Sequence, residues 1–100
     1  MKIGHLRQIL SRLPRNARIL DAGCGEGIVS KYVRSVRPDA IIYGIDVVDC
    51  SKKLPKAMKF SLNSVEDTQF RSNFFDAILC FHVIEHLEMP ERCIDELYRI

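Results

Sequence analysis

Residues 19 to 27 read ILDAGCGEG: an apolar run closed by Asp21, then glycines at 23, 25 and 27. Three glycines in five residues make a turn whose backbone approaches a neighbour more closely than any residue with a Cβ allows. Such a turn after a strand-like run reads as a ligand cradle. Its spacing separates the ligands. A dinucleotide loop asks for G-x-G-x-x-G, and the place of its third glycine is held here by Ile28. The pyrophosphate reading is weak from the outset.

The flanking periodicity supplies the scaffold. Ile3, Leu6, Leu10 and Leu13 recur at helical spacing until Pro14 closes the segment, so residues 1–16 read as a short amphipathic helix and a turn ahead of the core. Ala17 to Ala22 reads as the first strand. Ile28, Val29, Tyr32, Val33 and Val36 mark one face of a helix over about 26–36, ended by Pro38. Further apolar runs at 40–45, 58–62 and 75–81 read as three more strands, and their near-continuous apolar character predicts burial on both faces. Pro90 opens a last helix with Cys93, Ile94, Leu97 and Ile100 on its inner face. Between Val47 and Ala57, Pro55 leaves little room for a crossover helix. Strands alternating with helices predict an α/β fold: a Rossmann-like parallel sheet with flanking helices and right-handed crossovers.

Composition excludes several classes. One hundred residues at 47% hydrophobic content suffice for one small domain, and no apolar stretch approaches the roughly 20 residues of a membrane span. No apolar segment with a small-residue cleavage site opens the chain, so a cytoplasmic location is expected. Cys24, Cys50, Cys80 and Cys93 form no C-x-x-C pair, which predicts reduced thiols rather than a disulfide framework or zinc site. Residues 1–37 carry eight Lys and Arg against two acids, while residues 38–100 carry seven against eleven. Arg7, Arg12, Arg15 and Arg18 are broken up by apolar residues with no interleaved aromatics, which reads as a solvated face and argues against nucleic acid.

The D-x-G-x-G-x-G arrangement of Asp21, Gly23, Gly25 and Gly27 resembles motif I of the class I S-adenosylmethionine (SAM) dependent methyltransferases, of the methyltransferase type 11-like kind. Two further segments carry the same resemblance. GIDVVD places Asp46 19 residues past Gly27, near the offset of roughly 20 residues at which an acid accepts from a ribose diol. FDAILCFHVIEHL, residues 75–87, looks like the family's fourth strand and the loop after it.

The resemblance implies SAM as cofactor. It assigns Asp21 to the methionine amino end, Cys24 and the main chain of Gly23, Gly25 and Gly27 to a close wall, and Asp46 to the ribose hydroxyls. Ser64 and Val65, in SVEDTQF, fall where the family brackets the adenine; Ser64 stands where an aspartate is common. Phe81 and His82 fall against the methionine portion. His82 to His86 also satisfies H-x-x-E-H, an inverted zinc-protease spacing. Such a site needs both histidines on one helical face and a distant third ligand, and a buried strand runs directly into this segment. No metal is expected. No catalytic base is assigned either, because orienting the reactants can remove about 7–11 kcal/mol of barrier against about 3–5 kcal/mol from a base.

The family's sheet has seven strands in the order 3-2-1-4-5-7-6, of which this sequence supplies the N-terminal four. The expectation is the cofactor-binding half of a methyltransferase for a small-molecule acceptor, with the fourth strand an edge open to self-association. Two other readings stay open: a non-catalytic remnant or interaction module, and a nicotinamide-dependent oxidoreductase.

Overall fold

The computed structural model describes residues 3–81 and 83–100. Four parallel strands, β1 (Arg18–Ala22), β2 (Ile41–Asp46), β3 (Lys59–Leu62) and β4 (Ala77–Cys80), lie in the order β3-β2-β1-β4. Three α-helices accompany them: α1 (Ile3–Ser11), α2 (Ile28–Val36) and α3 (Pro90–Arg99). The expected Rossmann-like arrangement is therefore present. Single 3-10 turns at Ser51–Lys53 and Ile84–His86 fill the β2–β3 connection and the loop after β4. Among the described residues no helix is long and apolar enough to cross a membrane.

The period of two along each strand sorts side chains onto two cores. Ile19, Ile42 and Leu79 pack with Leu6 and Leu10 of α1 and Val33 of α2. Leu20, Ala22 and Ile45 pack on the other face with Cys93 and Ile100. Register sets the functional end of the sheet. Asp21 lies opposite Gly44 and Ala22 opposite Ile45, so Asp46 projects one residue beyond the last β1 partner.

Four expectations need correction. Ile28 is 78% exposed rather than on the core face of α2. It is the first residue of that helix, and side chains there lean back past the N-terminus. The fourth strand is shorter than residues 75–81, and only Leu79 in it is buried. Among the described residues it is the last strand of the sheet, paired with β1 alone, so its outer flank has no neighbouring strand to cover it. Ile94 is 56% exposed, because the inner stripe of α3 runs through Cys93, Leu97 and Ile100 and Ile94 lies to one side of it. The first helix also stops at Ser11 instead of Leu13. Its terminal carbonyls are met by Arg37, whose guanidinium donates to Leu10 O, Leu13 O and Pro14 O at 2.6, 3.0 and 2.7 Å and to Asp39.

The end of α3 is latched to the segment before β4. Glu96 accepts from the backbone N–H and hydroxyl of buried Thr68 at 2.8 and 2.6 Å, and from Arg99 Nε at 2.9 Å. Arg99 O and Ile100 O in turn accept from Asn73 and Phe75 N–H. The Arg99 guanidinium, then the Thr68 donors, hold the Glu96 carboxyl down at about 2 against an ordinary 4.5, burial opposing them. Glu96→Ala leaves the Thr68 donors without their acceptor, and an expected loss of about 1–3 kcal/mol of stability follows, read by urea unfolding. The sign in acid is fixed by the lowered value. The stabilisation is complete above about pH 4.5 and fades toward about pH 2, so wild type and variant should converge in that window.

Candidate functional site

The turn after β1 is pinned to β2. Gly23 N–H and Cys24 N–H both donate to Ile45 O, at 2.8 and 2.9 Å, and Gly27 N–H donates to Cys24 O at 2.9 Å. Its geometry is left-handed at all three glycines, with φ of 73° at Gly23, 51° at Gly25 and 84° at Gly27. At Gly23 space is also closed, since an added Cβ would run into Val83 Cγ2. Glycine is demanded there twice over, by conformation and by the wall opposite.

Asp46 organises the mouth of the sheet. Its Oδ2 accepts from Gly25 N–H at 2.9 Å and its Oδ1 from Val48 N–H at 3.1 Å. A carboxylate offers about four lone-pair positions. Two are therefore spent on shaping the loops, and two remain for another donor pair. Asp46 is half-buried and borders two cavities. One, of about 330 Å³, brings it together with Gly23, Ser64, Val65, Val83 and Leu87. The other, of about 670 Å³, places it beside Gly25, Cys50, Lys52 and Lys53.

Ser64 Oγ accepts from Glu66 N–H at 3.1 Å and closes a small turn, and Ser64 and the buried Val65 both line the smaller cavity. Asp21, by contrast, does not line either cavity. It is buried at 3% exposure and its Oδ2 accepts at 2.6 Å from the hydroxyl of Ser30, in the first turn of α2. Burial pushes its carboxyl up, the Ser30 hydrogen bonds pull against that, and the Asp46 charge adds to the rise. Cys24 is buried beside Gly44, and Gly27 packs under Leu54 and Pro55. Burial, then the Asp21 charge, pushes the Cys24 thiol up to about 12, which leaves it a protonated side chain at neutral pH. Phe81 is half-buried against the α1 and α2 core. His82 lies outside the described residues.

Several cavity residues were absent from the sequence expectations. Val83 and Leu87 follow β4, and Asn63 and Val47 complete the rim of the smaller cavity. His86 reaches the same rim from the 3-10 turn, its Nε2 3.7 Å from Glu85 Oε1. The H-x-x-E-H segment thus has a single 3-10 turn at Ile84–His86 where the zinc-protease pattern asks for an α-helix. Ser30 could have been found: it sits three residues past Gly27, where a first-turn hydroxyl meets the end of the preceding strand.

A family model described as a methyltransferase domain matches residues 20–100. The mitochondrial ubiquinone biosynthesis O-methyltransferase of Candida albicans is 30% identical over 89 residues, covering 78% of this chain and 27% of that protein. The YcgJ protein of Bacillus subtilis superimposes with a TM-score of 0.77 at 21% identity, covering 97% of this chain and 44% of its own. The 4+2 cyclase SpnF does so with a TM-score of 0.77 at 24% identity, covering 95% and 40%. These structural likenesses speak for the fold alone. The chain spans 20% to 41% of the length of such curated relatives.

Proposed function

Because this chain belongs to the methyltransferase-domain family, we propose that its glycine turn and Asp46 bind S-adenosylmethionine, for methyl transfer to a small-molecule acceptor. In this reading residues 1–100 form one partial cofactor-binding domain, in which 1–16 are a helix and turn ahead of the core, and the protein works in the cytoplasm. The observation that carries it is Asp46: a half-buried carboxylate at a strand end, tied to the glycine loop through Gly25, with two acceptor positions left for a vicinal diol.

The residues fit the cofactor. The cavity of about 330 Å³ falls at the low end of the about 300–1,000 Å³ usual for small-molecule sites. Asp46 accepts the ribose hydroxyls; the Ser64 hydroxyl and Val65 N–H face the adenine edge. Gly23 lets the methionine portion lie against bare backbone; the family resemblance assigns Phe81 and His82 to the same portion. Asp21, held by Ser30, acts on the amino end through water. When bound, S-adenosylmethionine supplies a methyl group made electrophilic by its sulfonium. The chain's own part is to bind, orient and exclude water, and positioning is the main lever. The acceptor enters from the β4 side, where the family's sheet continues and where an uncovered edge would otherwise favour self-association.

Calorimetric titration tests this. Heat with S-adenosylmethionine and none with NAD is expected; NAD heat alone would overturn the assignment in favour of an oxidoreductase. The nicotinamide reading is disfavoured by Ile28, which opens α2 where the dinucleotide loop has its third glycine. A second reading, a module that keeps the fold without transferring methyl groups, draws support from SpnF, which shares the fold and is named for cyclisation. A transfer assay on the whole protein with a labelled methyl donor and a small-molecule extract separates the two. Labelled product supports the enzyme, and cofactor binding without product supports the module.

A further inference from the structure

Two cysteines 26 residues apart in sequence meet at the mouth of the sheet. Cys24 Sγ, Cys50 Sγ and a carboxylate oxygen of Asp46 all lie within 4.8 Å of one another. They sit on neighbouring strand ends. Cys24 follows β1 and is fixed by its N–H bond to Ile45 O, while Cys50 lies beyond β2 with its thiol donating to Val48 O at 3.4 Å. Asp46 itself fastens both sides, through Gly25 and Val48. The cavity of about 670 Å³ opens onto Asp46 and Cys50 and gives a route in from solvent.

We propose that Cys24, Cys50 and Asp46 form a binding site for a thiophilic divalent cation such as Zn²⁺. The donor set suits it. Zinc takes sulfur at about 2.3 Å and carboxylate oxygen at about 2.0–2.2 Å, and a tetrahedron of such bonds puts its donors about 3.5–3.8 Å apart. The three groups need only small side-chain movements to reach that spacing. A fourth position is left for water. On binding, each cysteine gives its proton to solvent and keeps its electron pair for the metal, so two protons leave per cation. The resulting Zn(S⁻)₂(carboxylate) unit carries a charge of −1, and Lys52 lines the same cavity to balance it, Lys53 being paired with Glu26 at 3.0 Å. Resting on the proposed cofactor reading, a further consequence is competition: Asp46 cannot serve the metal and a ribose diol together.

Cobalt(II) and zinc titrations of the chain, kept reduced with a phosphine, test the site. Expected are one Co²⁺ per chain with a thiolate charge-transfer band in the near ultraviolet, and its displacement by Zn²⁺. Cys50→Ser, in a partly exposed loop, should cut the band by about half and weaken zinc binding by about 100-fold or more. Cys80→Ser should change neither, since Cys80 lies at the end of β4 beside Cys93. An unchanged band in Cys50→Ser, or an equal loss in Cys80→Ser, overturns the site. Excess S-adenosylmethionine should weaken the cobalt affinity. An intact cobalt site in a chain that gives no calorimetric response to S-adenosylmethionine would overturn the cofactor reading and leave the metal site standing. Unhindered cobalt binding in a chain that does bind the cofactor would overturn the sharing of Asp46.

Discussion

Asp46→Ala is expected to lower the affinity for S-adenosylmethionine by about 100-fold or more while leaving the chain folded. Two hydrogen bonds from ribose hydroxyls to an ionised carboxylate are each worth about 1.5–3 kcal/mol, and every 1.4 kcal/mol is tenfold. The loss is compounded because Gly25 N–H and Val48 N–H lose their acceptor, which frees both loops that frame the cavity. Asp46→Asn separates these contributions. It keeps one oxygen for a loop N–H but presents donors where the ribose needs acceptors, so affinity should still fall by about tenfold or more. Calorimetry supplies the affinities and urea unfolding the stability. Wild-type affinity in Asp46→Ala would remove the ribose assignment, whatever the family.

The second large effect belongs to Gly23→Ala, which should cost about 2–5 kcal/mol of stability and abolish cofactor binding. A left-handed alanine costs about 1–2 kcal/mol, and overpacking a closed site adds about 1–3 kcal/mol. The methyl group would meet Val83 Cγ2, and Val83 is β-branched with little rotamer freedom to retreat. The whole 83–87 segment must shift, and with it a wall of the smaller cavity. Gly25→Ala provides the contrast. Its φ of 51° carries the same backbone strain, yet an added Cβ there meets nothing within 4 Å. The expected order of melting temperatures is wild type, then Gly25→Ala, then Gly23→Ala. The reverse order would mean that Val83 is not a wall of the site.

The parallel sheet and the glycine turn at the candidate site were legible in the sequence because both are written in local signals. Apolar runs bounded by glycine and proline mark β1 and β2, and the glycine spacing marks the turn between β1 and α2. The misreadings share one physical cause: an apolar residue does not announce what covers it. Ile28 falls on the helical stripe but leans off the end of α2, and residues 75–81 look like a strand buried on both faces although β4 has a neighbour on one side only. The Asp21–Ser30 bond and the meeting of Cys24 with Cys50 were out of reach for a different reason. Each depends on how a strand end meets the next loop or helix in space, and no periodicity in the chain encodes that.

The latching of the segment before β4 by Arg99 O and Ile100 O has a consequence for the order in which the molecule is made. Gly25 and Asp46 leave the ribosome well before Val83, and the backbone partners of Asn73 and Phe75 are the last residues of the 100. At about 5–20 residues per second, about 2–12 s separate the synthesis of the two sides of the cleft. During that interval the cradle on β1 and β2 is a half-built groove facing water. Until β4 is made, the central strand β1 lacks the partner that its Ile19 to Ala22 backbone pairs with.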